Sequence, residues 1–413
     1  MSYGPTLPIS IRTHTTKYRQ DGESFEELCT RIANSLKDND RHFRSFKDIL
    51  TDMRFLPAGR IQAAVGAVRR VTPYNCYVSA TIMDSMDDIM EKAKEAAQTM
   101  RMGGGIGYDF STLRPDGNRI VSLDSSASGP ISFMEIYDSV CSTVRSAGHR
   151  RGAQMGVLRV DHPDIEAFIR SKQNTNRLTN FNISVGITDE FMEAVKSDAA
   201  FDLVFRGQTQ KQINAKGLWE EIMRANWDWG EPGVLFIDRI NDQNNLWYCE
   251  AISATNPCGE QPLPPYGACL LGSFNLARYI HYEGFDVAFD YEGFAADIPE
   301  VVRAMDNIID TAIYPLPQQE HEAHSKRRMG LGVTGVANAI EALGHSYASK
   351  KFNVVLSKIL TVLRDTAYFS SAELAQEKGS FPLFKNSYAQ GPFIKSLSSF
   401  LQEKISKSGI RNS

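Results

Sequence analysis

The feature that most constrains the fold is an alternation of amphipathic stretches with short apolar ones. Apolar residues recur at helical spacing between Phe25 and Ile32, between Met86 and Met100, and between Leu218 and Trp229. The short apolar segments Met155–Val160 and Val234–Ile237 are typical of buried strands. Helices and strands that alternate in this way predict an α/β fold.

The same patterns predict the main elements of the chain. Ser24 followed by Glu27 is a capping-box signature, which predicts the start of the first clear helix. Residues 1–22 look irregular, and we interpret 23–413 as one large domain because no repeat, low-complexity tract or linker interrupts it. The predicted helices span about 24–36, 45–54, 86–100, 130–144, 215–229, 298–313, 334–343 and 350–378, with others from about 163 and 189; the predicted strands lie near 74–80, 155–160, 180–187, 234–237 and 269–274.

Composition excludes several classes of protein. The chain has 413 residues, 42% of them hydrophobic and 23% charged, which is ordinary for a globular protein. The net charge of −4 argues against a general nucleic-acid binder, which needs a concentrated basic surface. We find no signal peptide and no run of eighteen apolar residues, and therefore expect a cytoplasmic protein. The six cysteines have no CxxC spacing, so neither a metal site nor a secreted disulfide framework is predicted.

The segment Asn256-Pro257-Cys258-Gly259-Glu260 is the strongest candidate for a reaction centre. If its backbone is extended, residues two apart face the same way, and an amide, a thiol and a carboxylate lie together. The two spacers suit a stiff, tight loop, because proline fixes φ and glycine permits close approach. A turn around a buried cysteine is an equally good interpretation of these five residues alone.

Two other segments have both a functional and a structural interpretation. The four glycines within Gly103–Gly107 can cradle an anion with backbone N–H groups, or simply end a helix in a tight turn. The basic stretch Arg145–Gln154 can contact phosphate through guanidinium groups, or can be a solvated turn.

Taken as an ordered set, several stretches resemble the catalytic subunit of ribonucleotide reductase. The resemblance covers nearly the whole chain from about residue 10. The Cys258 segment, continued by Pro-Leu-Pro-Pro-Tyr-Gly-Ala-Cys, is most similar to class II, the adenosylcobalamin-dependent enzymes. The other stretches are Tyr74-Asn75-Cys76, Gly103–Gly107 with Tyr108-Asp109-Phe110, Arg150-Arg151-Gly152-Ala153 leading to Asp161-His162-Pro163-Asp164, and Arg328-Met329-Gly330-Leu331-Gly332.

The resemblance implies a ten-stranded α/β barrel around a central finger loop. It also implies that the enzyme uses radical and redox chemistry. Cys258 would become the thiyl radical that takes hydrogen from the ribose 3′ carbon, Glu260 the general base on the 3′ hydroxyl, and Asn256 the group that holds the neighbouring hydroxyl. Cys76 and Cys269 would supply two electrons and close a disulfide, which an external thioredoxin-like dithiol would reduce. The implied substrate-binding residues are Asn75, Cys76, Gly105, Arg60, Asn256, Pro257 and Gly259.

The resemblance also implies a specificity site for a deoxynucleoside triphosphate or ATP effector. Asp84, Ser85 and Arg114 fall at this site, with Arg150 and Arg151 in a switch loop spanning 148–154. The helix of residues 86–100 would form a homodimer interface, although packing within one chain would be the preferred explanation of its apolar stripe without the resemblance.

The chain departs from the family pattern at both ends. It lacks an N-terminal ATP-binding cone, and it stops before a phosphate-binding turn, the last barrel strands and a C-terminal cysteine pair. We therefore expect an incomplete barrel whose activity needs a separate C-terminal polypeptide, because unpaired strand edges are normally covered. The resemblance leaves open the class of the enzyme, the choice between diphosphate and triphosphate substrates, and the oligomeric state.

Three other functions are compatible with the residues. A glycyl-radical lyase of the same barrel type uses a central cysteine but needs no redox pair. A non-catalytic nucleotide-binding regulator would use the 86–100 helix and the basic loop, without Cys258. An enzyme with a thiolate nucleophile would need a base and oxyanion donors that the sequence does not identify.

Overall fold

The structure is a computed structural model that describes residues 4–120, 123–144, 152–173, 176–284 and 286–413. The chain divides into two compact units. We call Met1–Asn75 with Cys269–Ser413 the terminal unit, because it contains both ends of the chain, and Cys76–Ala268 the central unit.

Both units contain helices and strands. Among the described residues, no helix combines the length and hydrophobicity needed to cross a bilayer. The helices are α1 (Pro8–Lys17), α2 (Phe25–Leu36), α3 (Asp40–Thr51), α4 (Gly59–Ala64), α5 (Met86–Arg101), α6 (Gly129–Thr143), α7 (Ile165–Arg170), α8 (Asp189–Lys196), α9 (Ala215–Trp229), α10 (Ile237–Asp242), α11 (Tyr291–Thr311), α12 (Pro317–Lys326), α13 (Val336–Ala342), α14 (Lys350–Lys378), α15 (Pro392–Ser396) and α16 (Ser399–Ser408). The strands are β1 (Phe55–Pro57), β2 (Cys76–Val78), β3 (Gly105–Asp109), β4 (Arg119–Ile120), β5 (Ser125–Ser126), β6 (Gln154–Arg159), β7 (Phe181–Ile187), β8 (Ala200–Phe205), β9 (Gln208–Asn214), β10 (Gly233–Phe236), β11 (Ala254–Thr255), β12 (Pro262–Leu263), β13 (Leu271–Asn275), β14 (Ile280–Glu283), β15 (Asp286–Phe289) and β16 (Gly330–Thr334).

A five-stranded parallel sheet forms the centre of the central unit. Its strand order is β10-β7-β6-β3-β2, and every neighbouring pair is parallel. Tyr108 on β3 contacts Tyr137 of α6 edge to face, with ring centres 5.0 Å apart. The Tyr108 hydroxyl donates to Oε1 of Gln154 at 2.9 Å, so the neighbouring strands β3 and β6 are also joined inside the core. Parallel strands covered by helices confirm the predicted α/β class.

The terminal unit contains a smaller, mixed sheet of the strands β1-β13-β16. Strand β13 runs antiparallel to β1 and parallel to β16. Helix α11 is the buried helix of this unit, and its Asp306 is fully buried. The Arg327 guanidinium donates to Asp306 at 2.9 Å and to Asp310 at 2.7 Å, so the buried carboxylate has a charged partner.

Several predicted elements are confirmed, and others need correction, among them the helix predicted from residue 298, which begins at Tyr291. Helix α2 begins with the predicted capping box, in which Ser24 and Glu27 exchange hydrogen bonds. Within the segment predicted to be irregular, α1 begins at Pro8, a residue suited to the first helical position. The helix predicted at 45–54 begins earlier, at Asp40, because Asn39 caps it. The turn predicted over residues 103–107 is short, since Gly105 already belongs to β3.

Two hairpins, β8–β9 and β14–β15, were not predicted from the sequence. Strand β9 reads Gln-Thr-Gln-Lys-Gln-Ile-Asn and has no alternation of apolar and polar residues, because nearly all of it is exposed. A strand with two polar faces gives no periodic signal. The interpretation of 23–413 as one catalytic domain stays a prediction.

Candidate active site

The segment around Cys258 forms the tip of a tight hairpin. Strand β11 pairs antiparallel with β12, and the chain turns between Asn256 and Gln261. The amide N–H of Gln261 donates to Oδ1 of Asn256 at 2.9 Å, and that of Gly259 donates to the Asn256 carbonyl at 3.0 Å. Gly259 has a φ of 83°, the left-handed conformation that favours glycine. We call residues 254–263 the cysteine hairpin.

The backbone from Asn256 to Glu260 is not extended, so the condition for placing the three functional side chains on one face is not met. Asn256 is fully buried, whereas Cys258 and Glu260 are exposed. The reason is the turn itself, since the predicted alternation of faces holds only for extended backbone, and residues 257–260 follow a turn and a bend. The alternative interpretation, a turn around a buried cysteine, is wrong because the Cys258 thiol lies at the exposed tip of the hairpin.

The cysteine hairpin lies directly against β3. A Cβ at Gly107 would stand 1.7 Å from the carbonyl oxygen of Thr255, so only glycine leaves room for the hairpin backbone there. A Cβ at Gly105 would stand 2.8 Å from Cγ of Pro257 and 3.5 Å from Sγ of Cys76. Gly105 thus faces both the hairpin and one of the predicted redox cysteines. Gly105 and Gly107 allow the hairpin to approach β3 closely. This role differs from both predicted roles of the glycine cluster, the anion cradle and the turn that ends a helix.

A hydrogen bond from β7 fixes the turn of the hairpin. Nδ2 of Asn182 donates to the carbonyl oxygen of Pro257 at 2.7 Å. Met155 on β6 is also close to the hairpin, because a Cβ placed at Gly259 would be 3.8 Å from the Met155 methyl carbon. The hairpin therefore contacts three neighbouring strands of the parallel sheet, and Cys258 is presented from a rigid support.

The side-chain amide of Asn256 has an unused donor. Its oxygen accepts the Gln261 bond, but its Nδ2 atom is buried and, among the described residues, has no hydrogen-bond partner. A buried polar group without a partner costs about 1–3 kcal/mol. An acceptor on a bound ligand, such as a hydroxyl oxygen, would satisfy it.

Three further predicted residues, Arg60, Asn75 and Cys269, lie in the terminal unit. Arg60 belongs to α4 and is 9% exposed. The backbone N–H of Asn75 donates to the Cys269 carbonyl at 3.3 Å, which places these two residues side by side. Cys269 is buried, as is Cys76 in the central unit. The pairing of Cys76 with Cys269 stays a prediction.

Comparison with known proteins decides the family. The family model described as "Ribonucleotide reductase, barrel domain" matches residues 74–413. The chain belongs to the ribonucleotide reductase family.

Three relatives show how far the similarity extends. The chain is 34% identical over 397 residues to a protein of Thermoplasma acidophilum named vitamin B12-dependent ribonucleoside-diphosphate reductase, covering 95% of this chain and 51% of that protein. It is 38% identical over 345 residues to a protein of the same name from Mycobacterium tuberculosis, covering 83% and 49%. It is 26% identical over 383 residues to the ribonucleoside-diphosphate reductase large subunit of vaccinia virus, covering 82% and 49%. The chain thus spans about half the length of these relatives, and its vitamin B12-dependent relatives agree with the predicted resemblance to class II.

Three of the five effector residues predicted for a reductase lie together at the start of α5. Asp84 accepts from Nε of Arg114 at 2.9 Å, and its carboxylate is only 6% exposed. Ser85 caps α5, accepting from the N–H of Asp88 at 3.3 Å. The other two predicted residues, Arg150 and Arg151, lie outside the described residues.

Sequence reasoning missed two residues that contact predicted site residues and one that contacts the helix predicted as the dimer interface. Asn182 holds the cysteine hairpin, Arg206 donates to Asp84 at 2.9 Å, and Tyr266 joins a buried cluster on α5. In that cluster Nζ of Lys92 lies 3.1 Å from both Oε1 of Glu95 and the Tyr266 hydroxyl. Single polar residues in loops and strands carry no signal by themselves. Of these three residues, only Tyr266 lies in a segment that carries the resemblance.

Proposed function

We propose that this chain carries the catalytic chemistry of a ribonucleotide reductase, the conversion of ribonucleotides to deoxyribonucleotides. The observation that carries the proposal is the cysteine hairpin, which contacts β3, β6 and β7 and presents an exposed Cys258 at its tip. Family membership and the buried, unused amide donor of Asn256 support the same conclusion.

In the proposed reaction, the hairpin residues act on the ribose. The Cys258 thiyl radical takes the hydrogen atom from the 3′ carbon, while the Glu260 carboxylate accepts the proton of the 3′ hydroxyl. Nδ2 of Asn256, which has no hydrogen-bond partner among the described residues, donates to the neighbouring hydroxyl. The rigid support of the hairpin holds these groups in position before the substrate binds.

The reduction itself uses the two buried cysteines. Cys76 and Cys269 give up two electrons and two protons: one proton leaves with the 2′ hydroxyl as water, the other hydrogen is bonded to the 2′ carbon, and a disulfide bond forms between the two sulfur atoms. The hydrogen atom then returns from Cys258 to the 3′ carbon, and the proton returns from Glu260 to the 3′ oxygen. An external thioredoxin-like dithiol then reduces the disulfide and becomes oxidised in turn. The contact of Gly105 with Cys76 supports this arrangement, because substrate-binding and redox residues are then neighbours in the central unit.

We propose adenosylcobalamin as the source of the radical. Two relatives carry vitamin B12 dependence in their names. The structure agrees with such a group in one respect, because the Cys258 thiol is exposed and a bulky cofactor can reach it. When bound, adenosylcobalamin supplies the radical that oxidises the Cys258 thiol.

The substrate and regulation follow from the same relatives and contacts. Because the two relatives are named ribonucleoside-diphosphate reductases, we propose diphosphate substrates. Asp84, Ser85 and Arg114, with Arg150 and Arg151, bind the deoxynucleoside triphosphate or ATP effector. Helix α5 forms a homodimer interface, since Met86 and Met90 of its apolar stripe are 61% and 46% exposed. A closed ten-stranded barrel, the need for a C-terminal polypeptide and a cytoplasmic location stay predictions.

A reconstitution experiment tests the proposal. The chain is mixed with adenosylcobalamin, a dithiol and a polypeptide corresponding to the C-terminal half of the Thermoplasma relative, and deoxynucleotide formation from CDP and CTP is measured. Cys258→Ser should abolish the product, whereas Cys249→Ser, which alters another exposed cysteine, should not. Product formation by Cys258→Ser would contradict the proposed function. A requirement for an iron or manganese radical partner would contradict adenosylcobalamin as the cofactor.

Thiol counting separates the reductase from a glycyl-radical lyase. A single turnover without reductant should remove two thiols from the wild type and none from a Cys76→Ser variant. Turnover of a nucleotide with no loss of thiols would favour the lyase. Nucleotide binding without turnover in the reconstituted mixture, unchanged in Cys258→Ser, would favour a regulatory protein.

A further inference from the structure

The turn that joins β8 to β9 contains an arginine in a strained conformation. Phe205 pairs with Gln208, so Arg206 and Gly207 form a two-residue turn, and their φ angles are 50° and 76°. Such a turn favours Asn-Gly, because both positions need a positive φ. An arginine there carries a conformational cost, which persists only where the surroundings hold the residue in place.

The surroundings of this turn do hold it in place. The N–H of Val204 donates to the carbonyl oxygen of Asp161 at 2.6 Å. The ring of Phe205 contacts the buried His162 edge to face, with ring centres 5.9 Å apart. The β8–β9 turn is therefore docked on the segment that follows β6.

Docking brings the Arg206 guanidinium to the predicted effector residues. Its Nη2 atom donates to Oδ2 of Asp84 at 2.9 Å, the same carboxylate that accepts from Arg114. One of the five N–H donors of Arg206 is used in this bond, and 65% of its side chain remains exposed. The guanidinium is thus oriented by Asp84 and still open to another acceptor.

A cavity of about 490 Å³ lies beside this contact, within the size range of small-molecule sites. Its walls include Asp84, Thr112, Arg159, His162 and Arg206. Arg159 forms a bidentate pair with Asp161, at 3.0 Å and 2.6 Å. The Arg159–Asp161 pair is balanced in charge, whereas Arg114 and Arg206 share the single carboxylate of Asp84, which leaves one positive charge at this contact beside the cavity. An anionic ligand is favoured at such a site.

We propose that Arg206 is a phosphate-binding residue of the effector site and that the β8–β9 turn forms one wall of this site. The inference rests on the proposed function, which places a nucleoside triphosphate effector at Asp84 and Arg114. Asp84 orients the Arg206 guanidinium, and the remaining N–H donors bind the phosphate oxygens of the effector. The strain at position 206 is retained because asparagine, which suits the turn better, lacks this charge.

Equilibrium binding to the 413-residue chain tests the inference. Dissociation constants of dATP, dTTP and dGTP are measured by calorimetry for the wild type, Arg206→Asn, Arg206→Lys and Arg224→Asn. The control residue Arg224 is exposed and pairs with Asp228 on α9. Arg206→Asn should bind about tenfold more weakly, as expected for the loss of one charge-assisted hydrogen bond. Arg206→Lys should recover part of the affinity, and Arg224→Asn should bind like the wild type.

Thermal unfolding separates this role from a structural one. Because asparagine favours a positive φ, Arg206→Asn should melt at the wild-type temperature or above it. Affinity within twofold of the wild type for Arg206→Asn would overturn the inference while leaving the effector site itself in place. An equal loss of affinity in Arg224→Asn would also overturn it. Failure of the wild type to bind any of the three nucleotides would instead contradict the effector site of the proposed function, and the inference with it.

Discussion

The carbonyl oxygen of Thr255 occupies the space that a Cβ at Gly107 would need, since the two positions are 1.7 Å apart. Gly107 is on β3 and Thr255 begins the turn of the cysteine hairpin, 148 positions later in the chain. The proposed radical cysteine therefore depends on the absence of a side chain at a distant strand. This contact explains why glycine is placed in the middle of a buried strand, where it otherwise weakens the structure.

Gly107→Ala should destabilise the protein and displace the cysteine hairpin. The added methyl group overlaps with backbone, which cannot move as a flexible side chain can, so we expect a loss of about 2 to 3 kcal/mol in the free energy of unfolding. Urea denaturation measures this loss. Alkylation of Cys258, followed by mass spectrometry, reports the hairpin position and should change in rate.

The matched control is Gly186→Ala in the same sheet. A Cβ there meets its nearest atoms at an ordinary 3.7 Å, so the substitution should be neutral or stabilising by up to about 1 kcal/mol. Equal stability losses in the two variants would show that the Thr255 contact is not the cause.

Much of the local structure could be predicted from the sequence. The capping box of Ser24 and Glu27 predicts the start of α2, and helical periodicity predicts the bounds of α9 as the structure has them. These signals are local, because the residues that form the hydrogen bonds and apolar faces are close in sequence.

The geometry of the candidate site could not be predicted in the same way. The sequence alone predicts a turn or an anion cradle at the glycines of β3, because the hairpin that requires them lies far along the chain. The β8–β9 hairpin has no recognisable turn signal in the sequence, because Arg206 occupies the position where such a turn normally has asparagine. Asn182 is one polar residue in a strand, and its role depends entirely on the carbonyl of Pro257.

The exposed methionines of α5 test the proposed dimer. Met86→Glu combined with Met90→Glu places two charges on the face that we assign to the subunit interface, where burying them is unfavourable. The double variant should sediment as a monomer under conditions in which the wild type sediments as a dimer. Because both side chains are exposed in the single chain, its free energy of unfolding per monomer should change little.

The control for this experiment is Met223→Glu, which changes a 38% exposed methionine on α9. It should leave the sedimentation of the protein unchanged. A wild type that remains monomeric at high protein concentration would contradict the proposed interface.

The buried pair of Lys92 and Glu95 should couple far more strongly than an exposed pair on the same helix. The side chains of Lys92 and Glu95 are 10% and 11% exposed, and the Tyr266 hydroxyl contacts both. Lys92→Met leaves a buried carboxylate without its cation and should cost about 3 kcal/mol. The double variant with Glu95→Gln should cost less than the sum of the single variants, with a coupling energy of about 1 to 3 kcal/mol.

Lys94 and Glu91 provide the matched comparison, because they have the same spacing on α5 but are 62% and 49% exposed. The cycle of Lys94→Met and Glu91→Gln should give a coupling energy below about 0.5 kcal/mol. Similar coupling energies in both cycles, from urea denaturation at neutral pH, would show that burial does not strengthen the Lys92 pair.

The same cluster should make the protein sensitive to alkaline pH. Burial alone would lower the pKa of Lys92, but its bonds with Tyr266 and Glu95 outweigh this effect and raise that pKa above 10.5. Burial raises the pKa of Tyr266 above 10.0. Both groups hold their protons more tightly when folded, so their stabilising contribution is complete below about pH 10 and is lost as the pH rises through the folded-state values. We expect the free energy of unfolding to fall above pH 10 more steeply in the wild type than in a triple variant with Lys92→Met, Glu95→Gln and Tyr266→Phe. Other buried tyrosines contribute equally to both proteins, so the difference between the two pH profiles isolates the contribution of the cluster. Parallel profiles from pH 8 to 11 would show that the cluster does not contribute to the pH dependence.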